Sequence, residues 1–178
     1  YASNAFKFVS MIFQCTGGGI LVPILINSIP VPLAQDAYPI AIVASFLIHN
    51  YFPIVREVMH LSPVFKAALI VMYEAMRASV VVKLTAAAGA AIAPSDFSFA
   101  VFGPIMCGAV AGCGGAFLPL NKGLDPIKTD GLNQPMISAA IAAAFYHLFV
   151  STRLSNGVKD APKKAQVLVA VFFIAYNL

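Results

Sequence analysis

"TGGGILVP", residues 16–23, lies in the middle of a long apolar run. Three consecutive glycines cost a helix roughly 1 kcal/mol each relative to alanine, so something that needs the absence of side chains has to compensate. The pattern returns at residues 112–119, "GCGGAFLP", again a glycine cluster with a proline four positions after its last glycine. Each cluster is followed by a turn and then by an apolar span with a histidine near its end, "FLIHNYF" (46–52) and "FYHLF" (145–149). Gly19 to His49 is thirty positions and Gly115 to His147 is thirty-two, which reads as an internal repeat.

The environment of that repeat follows from composition. Hydrophobic residues make up 60% of the 178-residue chain and charged residues 10%, with a mean hydropathy of +0.87, whereas soluble domains carry about a quarter charged residues. An integral membrane protein is expected, because a soluble core would need polar surface that this chain lacks. Runs near the length of a bilayer span occur at about 5–26, 37–55, 64–85, 98–120 and 133–153, and a sixth begins near 166. Short segments rich in Pro, Gly, Asn, Asp and Ser separate them, including "REVMHLSP" (56–63) and "NKGLDPIKTDGLNQP" (121–135). None is long or polar enough for a second domain, so residues 1–178 read as a single transmembrane domain.

Two further spans lie between the glycine-bearing ones if each repeat is counted as three helices, and copies of an odd-numbered unit cross the bilayer in opposite directions. The expected fold class is therefore an all-α membrane protein of inverted three-helix repeats plus an extra C-terminal helix. Seven spans are expected in the parent and about six in this chain, which reads as a fragment lacking the first helix and the end of the last. Inverted repeats with Gly/Pro-interrupted helices characterise transport proteins, and unwound backbone at membrane depth is tolerated where it faces protein or a water-filled cavity. Gly17, Gly18, Gly19, Gly114 and Gly115 are accordingly candidates for a pore or hinge. The competing reading is close packing, which small residues such as Gly108 and Gly112 or the run "SAAIAAAF" (138–145) also serve. On the pore reading, Gly18→Leu or Gly114→Leu lowers conductance while the protein still assembles.

Ionisable groups inside spans are expensive and by default functional. The 64–85 span carries Glu74, Arg77 and Lys83 in "MYEAMRASVVVKL". Glu74 and Arg77 share a helix face and partly neutralise one another, which leaves Arg77 facing a water-filled path or an anionic ligand such as a lipid phosphate. Lys83 reads as a side chain reaching for the interface. His49 and His147 have no carboxylate or thiol at metal-ligand spacing, and Cys15, Cys107 and Cys113 read as reduced small hydrophobes. No nucleophile triad, phosphate loop or paired-carboxylate arrangement appears, so neither an enzyme nor a nucleic-acid partner is expected. The positive-inside rule does not decide topology: Lys7, Arg56, Lys66, Lys122 and Lys128 fall on the side of residue 1, against Arg153, Lys159, Lys163 and Lys164 opposite.

Taken together, "GGGILVP", "YEAMR" (73–77), "CGGAFLP" followed by "NKG" (121–123) and "SAAIAAAFYHLF" resemble, in order and over most of the chain, the trimeric intracellular cation channel family. The resemblance implies seven membrane helices, a homotrimer with one pore per protomer, and passage of potassium and other monovalent cations across endoplasmic or sarcoplasmic reticulum as counter-current to calcium release. It implies kinked pore helices at Gly17–Gly19 and Gly114–Gly115, places Glu74 and Arg77 on the family's fourth helix, and gives Glu74 a pore or hinge role. It further implies lipid-phosphate or gating roles for Arg77, Lys83 and position 73, a bound phosphoinositide, and a cytosolic face on the side of residue 1. Animal members usually carry Lys four positions before the Arg; Tyr73 stands there in this chain, so only Arg77 is left to hold a phosphate, and a non-animal branch in another membrane, the plasma membrane in a prokaryote, fits the departure. The rival reading is a small-solute secondary transporter built on inverted repeats.

Overall fold

A computed structural model describes residues 3–94, 98–118, 124–128 and 131–178, with the side chains of residues 56 and 59–61 left aside. Among the described residues the chain is all-helical, with no strand. Helix α1 is Asn4–Leu25, α2 Val31–Ala34, α3 Ala37–Tyr51, α4 Pro53–Leu61, α5 Pro63–Ala91, α6 Phe102–Cys113, α7 Asp125–Lys128, α8 Gln134–Ser151 and α9 Ala161–Asn177. A 3₁₀ segment, Gly114–Phe117, continues α6. Pro119 and "NKG" at 121–123 lie outside the described residues.

The expected apolar runs fall on helices α1, α3, α5, α6, α8 and α9; α3 and α6 are shorter than the runs 37–55 and 98–120, α9 begins at Ala161 rather than near 166, and three further differences are larger. Segment 56–63 is helical rather than a connection: Pro53 and Pro63 occupy the first positions of α4 and α5, where a missing N–H costs nothing. Helix α5 extends six residues past the expected limit because the alanine-rich run to Ala91 holds no proline and its single glycine, Gly89, is carried by the surrounding alanines. It then reaches about 44 Å at 1.5 Å per residue. The third difference concerns α1, which passes through Gly17–Gly19 and Pro23 without interruption. Thr16 Oγ1 donates to the Ile12 carbonyl at 2.6 Å within it.

Among the described residues two helices, α1 and α8, are long and apolar enough to cross a membrane; α3 and the α6 run to Phe117 are shorter apolar helices. Helices α5, α8 and α9 enclose one cluster of Val81, Val82, Ala142, Ala143, Tyr146, Val169 and Phe173. Helices α1, α5 and α6 enclose another, of Val22, Leu84, Ala88, Cys107 and Ala111. Small residues zip α6 to its neighbours. A Cβ on Gly112 would lie 2.6 Å from Ala139 Cβ and 2.9 Å from Val81 Cγ2, and one on Gly108 would lie 2.6 Å from Ala143 Cβ. Helix α3, by contrast, is apolar along its length and buries none of its residues.

Candidate functional site

The two glycine clusters, about a hundred residues apart in sequence, meet main chain to main chain. A Cβ on Gly17 would fall 2.5 Å from the Gly115 nitrogen, and one on Gly114 2.7 Å from Gly18 Cα. On Gly18 a Cβ would strike the Ala111 carbonyl, and on Gly115 the Gln14 carbonyl. In each of those two places the missing side chain is what lets the opposing carbonyl come close to the glycine main chain. The opposed residues, Gln14 with Gly115 and Gly18 with Ala111, fall in one chain as they rise in the other, so α1 and α6 cross antiparallel. Val22 and Cys107 continue the same register in the shared cluster. Because backbone atoms line the crossing, leucine at Gly18 or Gly114 has no space to fill. The expected separation of conductance from assembly does not hold at these positions, since the bulk would first part α1 from α6.

The clusters differ in what they do to their helices. Gly17–Gly19 stay helical, whereas α6 ends at Cys113 and tightens into the 3₁₀ turn that starts at Gly114. A helix end leaves carbonyls without intrahelical partners, and Arg77 takes one of them, its Nε–H donating to the Gly112 carbonyl at 3.0 Å. Nη1 donates to Glu74 Oε2 at 3.2 Å, and Nη2 to Ser138 Oγ at 3.1 Å and to the Pro135 carbonyl. The guanidinium carbon also stands 4.4 Å over the centre of the Phe173 ring, a cation–π contact. Arg77 is 6% exposed and Glu74 5%. Four of the five guanidinium N–H groups are thereby committed to protein acceptors, and one side chain on α5 ties down the end of α6, the start of α8 and the body of α9. Removing one partner of so buried a pair costs about 3–5 kcal/mol.

A cavity of about 390 Å³ opens over this crossing, bounded by α1, α5, the end of α6 and the start of α8. Of the residues singled out from sequence, Gly17, Gly18, Tyr73, Arg77, Gly114 and Gly115 line it. Gly19 instead faces Val31, its virtual Cβ 3.3 Å from Val31 Cβ, and Glu74 is buried beside Arg77 without reaching the cavity. Lys83 is exposed and lies away from it. Gln14 and Asn133 add polar walls and Met76 and Val80 apolar ones, and sequence reasoning overlooked all four. A usable signal existed for the last two: positions 73, 76, 77 and 80 are spaced three and four apart and so share one face of α5.

The repeat-related histidines part company. His49 is exposed near the end of α3. His147 is buried, donates Nε2–H to the Ala100 carbonyl and accepts at Nδ1 from Ser151 Oγ at 3.3 Å, which joins the start of α6 to the end of α8. Comparison with family models, with curated proteins and with solved structures yields no match.

Proposed function

We propose that the chain is a monovalent-cation channel of the trimeric intracellular type, conducting potassium along the α1–α5–α6 face. The observation that carries this reading is the main-chain crossing of two glycine clusters beneath a cavity walled by Gln14, Tyr73, Arg77 and Asn133. The antiparallel α1–α6 contact supports inverted repeats, in which the two glycine-bearing helices are counterparts across an axis in the membrane plane. An apolar α3 with no fully buried residue, held to α1 through Phe46 on Phe8, supports a bilayer as solvent, since an exposed apolar face of that size otherwise marks an interface. Homotrimeric assembly in an intracellular membrane belongs to the same reading and rests on the motif resemblance. Arg77, with one N–H left, serves as a brace at the cavity wall more readily than as a phosphate clamp, so phosphoinositide is a weaker part of the reading than potassium.

The test is single-channel recording of the purified full-length protein in a planar bilayer under a potassium gradient. Discrete unitary currents that reverse near the potassium equilibrium potential are expected. A saturable flux with no unitary current would make the protein a carrier, and cross-linking in lipid that stops at dimers would remove the trimer.

A further inference from the structure

The cavity over the glycine crossing adjoins a second, smaller one of about 60 Å³, whose own walls include Thr16 of α1, Val31 and Pro32 of α2 and Tyr38 of α3. The two cavities share Cys15, Gly18, Met76, Val80 and Ala111. No side-chain carboxylate, amide or hydroxyl belongs to that shared band, whereas the larger cavity has Gln14, Arg77 and Asn133 and the smaller has Thr16 and Tyr38. Polar walls thus flank an apolar collar.

Two sides of the collar are fixed. Gly18 and Ala111 are in main-chain contact and cannot separate without parting α1 from α6. The other side is made of side chains four residues apart on α5. Val80 packs against the cluster of Val22, Leu84 and Ala111, and Met76 brings an unbranched thioether with several rotatable bonds. Three side chains complete the collar, Cys15 on α1 and Met76 and Val80 on α5; Val80 is half-buried and Met76 and Cys15 are exposed along its open edge, so its width on the α5 side is set by Met76 and Val80, on the same face that carries Tyr73 and Arg77 one turn earlier.

We propose that Met76 and Val80 form the hydrophobic neck at which conduction is gated, a site that rests on the channel reading above. A cation that passes such a neck has to keep its water, because methyl and thioether groups offer it no oxygen ligands, and narrow apolar constrictions close by dewetting. Polar side chains of similar shape at either position hold water in the neck and favour the open state.

The experiment records Val80→Thr and Met76→Gln beside the parent protein in potassium-containing bilayers. It also measures how fast Cys15, in a Cys107→Ser/Cys113→Ser background, reacts with a charged methanethiosulfonate reagent. Each polar variant is expected to raise open probability about tenfold, equivalent to about 1.4 kcal/mol, and to speed Cys15 modification, while Val80→Ile lowers both. Parent currents that neither polar variant alters overturn the neck. Absence of current from the parent, with Cys15 still faster in Val80→Thr and Met76→Gln, supports an apolar collar and overturns the channel reading instead. No current and no change in Cys15 rate overturns both.

Discussion

Gly17–Gly19 and Gly114–Gly115 have nearly the same sequence surroundings and opposite local structures. Helix α1 runs through its glycines, because an unwound turn would leave N–H and C=O groups without partners and, among the described residues, no side chain hydrogen-bonds to the main chain of Gly17–Gly19. Helix α6 ends at its glycines, where the Arg77 guanidinium accepts the load by donating to the Gly112 carbonyl. A glycine cluster therefore permits a break without causing one. What decides is whether a neighbouring side chain can satisfy the main chain that the break sets free.

The most severe way to break that contrast is to remove the neighbour. Arg77→Met strands the Glu74 carboxylate, uncaps Gly112 and loses Phe173, and a loss of about 3–5 kcal/mol is expected, read as a fall in thermal stability in detergent. Glu74→Gln in the same background recovers part of that loss, since it removes the stranded charge; a double variant no more stable than Arg77→Met would show that the carboxylate was never the problem. Next in size is Gly18→Ala, whose Cβ meets the Ala111 carbonyl and whose cost belongs in the overpacking range of about 1–3 kcal/mol. A stability equal to the parent's would mean that α1 and α6 do not touch here.

Gly19→Ala sharpens the comparison inside a single cluster. Its Cβ would stand 3.3 Å from the Val31 side chain, which can shift, rather than against backbone, and alanine returns about 1 kcal/mol of helix propensity. The expected result is a stability change well below that of Gly18→Ala. The smallest effect is expected for Gly89→Ala, where the added methyl stands 3.5 Å from His147 Cε1, an ordinary contact. A gain of up to about 1 kcal/mol follows from propensity, and a clear loss would mean that the His147 pocket is tighter than its distances indicate.

The helices were legible because long apolar runs without breakers favour helix, and α1 and α8 fall within two residues of their expected limits. Proline misled the reading of 56–63, since the letter that ends helices also opens them, and only the main chain around Pro53 and Pro63 distinguishes the two. In the site, glycine clusters and a buried arginine stand out against an apolar background by their cost. Gln14, Met76, Val80 and Asn133 carry no such cost; they acquire a role only when α1, α5 and α6 are brought together. The matching spacing of His49 and His147 was real in sequence, yet one is exposed and the other buried, because neighbours rather than register set the environment of a side chain.

Arg77 also imposes an order on biosynthesis. Its acceptors at Gly112 and Ser138 lie 35 and 61 residues further along, so at roughly 5–20 residues per second of translation α5 emerges several seconds before they do. Of the hydrogen-bond partners of Arg77 among the described residues, Glu74, three residues upstream, is the one already made during that interval. The carboxylate acts as an escort: it keeps the guanidinium half neutralised until the later helices arrive to claim it.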